Sequence, residues 1–201
     1  MSALRLLYLA LLSPRLALFQ VESTFRFSYL FIALFGFVVT RACIQISAHI
    51  FEKTNLQVLP FLLDLIGTVI SSFALYFFIG LVIHMVLSKQ VDGHAFPRML
   101  TSLFLVQMPF AFLPALSIIS KSIDTYAGNP ALGMTFFLVW SAFIFFFVIH
   151  SISKGIQLLY RTDSASHAFS VLATSVFTAI FIQILGSSGF ILQMIASIFV
   201  I

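Results

Sequence analysis

Residues 58–87 read VLPFLLDLIGTVISSFALYFFIGLVIHMVL, thirty positions of which only Asp64 and His84 are ionisable. A helix over this stretch is about 45 Å long, whereas crossing a hydrocarbon core of roughly 30 Å takes only about 20 residues. Tilt takes up the spare length. The polar elbow Ser88-Lys89-Gln90-Val91-Asp92-Gly93-His94 follows, and then a second apolar stretch to Ser120, interrupted by Pro109 and Pro114. The pattern predicts a helical hairpin in lipid at the core of the fold. Gly67, Ser71 and Ala74, spaced i, i+4 and i+7, place small side chains on one face of its first helix. Small residues let a neighbouring backbone approach closely where lipid gives helices no hydrophobic reason to associate, so this face is expected to be a buried helix–helix contact.

Composition points the same way. Of 201 residues 61% are hydrophobic and 8% charged, with a mean hydropathy of +1.15, against about 25% charged in a soluble domain. The chain reads as an all-α integral membrane protein whose first partner is the lipid bilayer. The apolar runs leave no room for a soluble domain of even roughly 50 residues. Its ten Lys and Arg are scattered among the connections, and no basic patch with interleaved readers speaks for nucleic acid. The single cysteine, Cys43, rules out an intrachain disulfide.

Working outward from the hairpin, apolar run lengths predict a five-helix transmembrane domain over residues 25–201, with spans at about 25–46, 58–87, 97–120, 131–152 and 168–200. Pro97 suits a first helical turn, and Pro109 and Pro114 should break the third span. Residues 121–130 read as a turn. Gly186-Ser187-Ser188-Gly189 makes the last span either one long tilted helix or a span followed by a turn back. Residues 1–24 resemble a secretory signal in Arg5 and the run Leu6 to Leu12, but no small-x-small site follows. Pro14 disfavours helix at Ser13, so a retained interfacial segment of two short helices is expected. Arg5, Arg15, Arg26, Lys89, Arg98, Lys154 and Arg161 then share one side, seven against Arg41, Lys53 and Lys121 on the other. Positive-inside predicts a cytoplasmic N-terminus and an outside C-terminus, in a bacterial cytoplasmic membrane. No internal repeat aligns.

Ionisable groups within spans are where function is sought first, because a charge at the bilayer centre costs at least ~2.5 kcal/mol. Asp64 lies four residues beyond Pro60, at a depth where Arg41 can meet it. The expectation is a helix-locking ion pair; the alternatives are a cation or proton site in a small transporter or channel, or an interfacial carboxylate reaching water. His84 and His150 are expected at one membrane depth as hydrogen-bonded interfacial side chains. The alternative, with His94 and Asp92 nearby, is a metal site or a haem-iron pair in a redox subunit. Phe136, Phe137, Phe143 and Phe145 to Phe147 give the fourth span an apolar circumference that reads as lipid-facing bulk. No Gly-Lys-Ser/Thr cradle, Gly-x-Ser-x-Gly elbow, His-Glu-x-x-His or Cys-x-x-Cys occurs. The reading is therefore no enzyme, no cofactor and no catalytic or metal-binding residue.

Leu12-Ser13-Pro14-Arg15 with Phe19 ahead of the first span, Ile83-His84-Met85 closing the second, Gly93 in the elbow, Phe96 opening the third and Pro109 within it form an ordered series. With Trp140 in the fourth span and the polar turn before Ala168, it resembles the Yip family, the Ypt-interacting membrane proteins, over nearly the whole chain. The resemblance implies five spans and a non-enzymatic role in membrane organisation, or as an accessory subunit beside a membrane protein partner. Eukaryotic members carry a sizeable cytosolic N-terminal region and bind prenylated Rab-type GTPases. Here about 24 residues precede the first span and the Asp-Leu-Tyr-Gly-Pro signature is absent. The GTPase-binding role is not carried over, and the short prokaryotic members are the better likeness.

Overall fold

A computed structural model describes residues 3–52, 58–87, 95–162 and 164–187. In chain order the elements are α1 (Ala3–Leu12), α2 (Pro14–Ser23), α3 (Phe27–Glu52), α4 (Val58–Leu87), α5 (Ala95–Leu105), a 3-10 turn (Met108–Phe112), α6 (Leu113–Ala127), α7 (Pro130–Tyr160) and α8 (Ala165–Ser187). The described residues form no strand. Residues 27–50, 58–87, 95–127 and 131–160 form four helical stretches long and apolar enough to cross a membrane. The fold is that of an all-α, multi-pass membrane protein. The elbow 88–94 and the stretch from 188 to 201, into which the expected fifth span runs, lie outside the described residues.

The prolines act where the sequence places them. Pro109 opens the 3-10 turn and Pro114 the first turn of α6, so the third span is two helices joined by a tighter coil, each proline sitting where its missing N–H is an orphan anyway. Helix α6 continues to Ala127, which shortens the expected 121–130 turn to Gly128 and Asn129. Gly128 takes a left-handed φ of 62°, and Asn129 caps α7 by accepting from the Ala131 N–H at 3.0 Å. Antiparallel α6 and α7 then close tightly: the Gly133 N–H donates to Asp124 Oδ1 at 2.8 Å. A Cβ at Gly133 would collide with that carboxylate and with the Ser120 carbonyl. Only glycine permits this approach.

The centre of the bundle is α5, not α4. Every residue of α5 from Met99 to Leu105 is buried. Met99, Leu103 and Val106 join one apolar cluster with Ile79, Ile83, Ile152, Ile156 and Leu172, while Leu100, Phe104, Leu105 and Met108 join another with Leu6, Val21, Ala33 and Phe37. Helix α4 is buried only in its second half, at Ile79, Gly80, Ile83 and Leu87, and its first half touches α3 more lightly.

The expected contact face on α4 is thereby corrected. Gly67, Ser71 and Ala74 are all exposed, and a Cβ at Gly67 would meet nothing within 4 Å. The glycine that does meet a neighbour is Gly80, where a Cβ would stand 3.2 Å from Leu103 Cδ1. Leu75, one turn beyond Ser71 at the border of this stripe, packs against the core.

The N-terminal segment forms the two short helices expected of it, and both pack against the bundle. Leu7 reaches Gly36, about 14 Å along α3 from its start, and α1 packs on the 3-10 turn midway through the third span. Ser13 leaves the helix at φ −146°, Pro14 restarts it, and α2 returns beside α7, with Leu18 against Gly155. Helices α1 and α2 form a hairpin packed against α3, α5 and α7. Its buried stripe, Leu6, Ala10, Ala17 and Val21, joins the cluster built on Phe37 and Phe104.

Candidate functional site

The richest intramembrane polar arrangement grows out of the helix break. Where α5 ends, its last carbonyls lose their intrahelical partners. The Val106 N–H takes the Ser102 carbonyl at 3.0 Å, and the Gln107 side chain takes the next, Nε2 donating to the Leu103 carbonyl at 3.0 Å. Gln107 is 0% exposed. Its remaining acceptor, Oε1, receives Arg41 Nη2 from α3 at 2.5 Å.

The guanidinium is held on its faces too. It lies 5.1 Å from the Phe37 ring centroid and 5.4 Å from that of Tyr76, within range of the attraction a cation feels for an aromatic face. Arg41 Nε is buried without a hydrogen-bond partner. Other polar side chains of α3 face its different neighbours. Thr40 donates to the Gly36 carbonyl at 2.8 Å, Ser47 meets Ser117 of α6, and Gln45 Nε2 donates to Thr68 Oγ1 of α4 at 3.3 Å. Hydroxyls bonded to carbonyls one turn back, and to one another, are how such groups are satisfied without water.

Asp64 is not part of this site. Gln45 opposite Thr68 and His49 opposite Phe61 fix an antiparallel register of α3 against α4. That register sets Arg41 opposite about Ser72, and its guanidinium reaches on to Tyr76, twelve residues and about 18 Å of helix from Asp64. The expected Arg41–Asp64 pair is therefore replaced by Arg41 with Gln107, and Asp64 is exposed on the outer half of α4. The sequence offered one sign of the true partner: an amide two residues before a proline in an otherwise apolar run.

The two histidines go to different places. His84 Nδ1 lies 3.1 Å from the hydroxyl of Tyr160, itself 0% exposed, with the Phe96 ring 5.5 Å away. His150 meets Arg15, presented from the tip of the α1–α2 hairpin. Tyr160 lies ten residues, about 15 Å of axis, beyond His150 on α7, so the expectation of a shared depth is corrected and the pair does not converge on one iron. No group of three or more His, Cys, Asp or Glu side chains comes together among the described residues; His94 and Asp92 lie outside them. Trp140, Phe143, Phe145 and Phe146 are exposed along α7, as lipid-facing bulk requires.

An apolar cavity of about 410 Å³ lies between α4, α7 and α8, lined by Ile79, Phe110, Val148, Ile152, Leu172 and Val176 among others. It presents no convergent polar group. Comparison with protein-family models, with curated proteins and with solved structures returns no match. What fold and site define together is a multi-pass membrane protein with a hydrogen-bonded polar seam between its helices.

Proposed function

We propose that this chain is a non-enzymatic integral membrane protein of the Yip type. It works in membrane organisation or as an accessory subunit of a membrane assembly, with five crossings and a cytoplasmic N-terminus in a bacterial cytoplasmic membrane. One observation carries this reading: the outer half of α4 turns Asp64, Gly67, Ser71 and Ala74 outward, all exposed and uncovered by any other described helix. A carboxylate and a run of small side chains on the outside of an apolar helix is costly against lipid and well suited to another membrane helix.

The transport reading draws no support from the geometry, since Arg41 and Asp64 stand on different levels. The haem reading fares likewise, since His84 and His150 have separate partners. Photo-crosslinking in native membranes tests the proposal. A crosslinker at position 67 or 71 should give a protein adduct of one defined mass, and one at position 143 on the outer face of α7 should label lipid alone. Lipid labelling at all three positions would overturn the assignment.

A further inference from the structure

The pocket around Arg15 is a second polar site, separate from the seam at Arg41. Pro14 starts α2 and sets Arg15 in its first turn, where the guanidinium Nη2 meets His150 Nε2 of α7. One turn on, Lys154 Nζ donates to Gln157 Oε1 at 2.8 Å. Arg15, Lys154, Gln157, Leu158 and Thr162 line an open pocket of about 360 Å³.

Three features of this pocket call for an anion. Its two cations have as partners an imidazole and an amide, and among the described residues no carboxylate is bonded to either. Arg15 also stands at the N-terminal end of α2, the positive end of the helix dipole, where a cation is unfavourable unless a negative group joins it. Thr162 Oγ1, in the pocket wall, is buried with no hydrogen-bond partner. A guanidinium fork, an ammonium and a free hydroxyl around one cavity are the donors a phosphate takes.

We infer that this pocket binds the phosphate of an anionic phospholipid headgroup. The surroundings favour lipid over free phosphate. The pocket follows the last turns of α7 from Lys154 to Thr162, just past the helix end, so it lies where a membrane helix meets the headgroup region. Leu158 lines it, and Leu12, Leu16 and Phe19 are exposed on the hairpin beside it, as an acyl chain needs. Basic pockets between membrane helices are known to hold lipid headgroups in this way.

The test is native mass spectrometry and thermal melting of the full chain in mild detergent, with phosphatidylglycerol, phosphatidylcholine or inorganic phosphate added. Phosphatidylglycerol should be retained as a one-to-one adduct and should raise the melting temperature; phosphatidylcholine should do neither. Lys154→Gln should weaken the adduct by about five- to tenfold and Arg15→Gln/Lys154→Gln further, while Lys121→Gln, on α6 at the other end of the bundle, should leave it unchanged. Arg15→Lys, which keeps the charge, should bind more tightly than Arg15→Gln and guards against reading a folding defect as lost binding. Undiminished phosphatidylglycerol binding by Lys154→Gln would overturn the site. Equal stabilisation by inorganic phosphate would overturn the lipid assignment.

Discussion

Arg41 of α3 and Gln107 of the α5 break meet at 2.5 Å in the middle of the bundle, and the same glutamine holds the Leu103 carbonyl at 3.0 Å. One amide thus ends a helix and receives a charge. Gln107→Leu removes both bonds and leaves a buried guanidinium and a buried carbonyl short of partners, so the loss should be about 1–3 kcal/mol. Gln107→Glu keeps an acceptor for Arg41 and should lose less. Denaturant titration of the purified protein by circular dichroism gives the order, and equal stability of Gln107→Leu and wild type would show that the node is ornamental.

The two glycines of α4 should behave oppositely. Gly80 faces Leu103, Phe96 and Leu100, whereas Gly67 faces nothing within 4 Å. Gly80→Leu overpacks the α4–α5 contact and should cost about 1–3 kcal/mol. Gly67→Leu should leave the isolated protein unharmed and weaken only its contact with a partner. A thermal aggregation assay on the two variants separates them.

Gly133 should be the least forgiving glycine in the far half of the bundle. An added Cβ there meets the Ser120 backbone, which cannot swing aside, as well as the Asp124 carboxylate. Gly133→Ala should therefore destabilise more than Asp124→Ala, which loses one charge-assisted bond at the start of α7 and about 0.5–2 kcal/mol. Melting temperatures that rank the two in reverse would contradict the close approach of α6 and α7.

His84 and Tyr160 should couple weakly but measurably. Hydrogen bonds between membrane helices average about 0.6 kcal/mol and reach about 1.7 kcal/mol in double-mutant cycles. His84→Phe, Tyr160→Phe and the double variant close such a cycle, and a coupling of zero would mean that the 3.1 Å contact contributes only packing.

The helices were legible because length and apolarity report directly on crossing a membrane, and the break at Pro109 and Pro114 because a missing N–H is a local fact. Which face of each helix turns inward was not. Lipid and protein interior are equally apolar, so the pattern that orients a soluble helix is absent from α4, and small residues at 67, 71 and 74 look alike whether they meet this chain or another. Pairings across long separations were hidden for a different reason. Arg41 with Gln107, His84 with Tyr160 and Arg15 with His150 are set by helix register, and the apparent match of Arg41 with Asp64 rested on charge and on a depth counted from span ends alone. The N-terminal hairpin was half visible: Pro14 announced the reversal, but nothing local says that both helices pack against the bundle.

That hairpin also sets a timetable. Arg15 and His150 are 135 residues apart, and at a synthesis rate of about 5–20 residues per second the ribosome takes roughly 7–27 s to cover that distance. Throughout this interval α2 has been made but its neighbour α7 has not. The segment that comes earlier in the chain closes the structure later, so α1 and α2 act as a latch that shuts only on a bundle whose α5 and α7 are already in place.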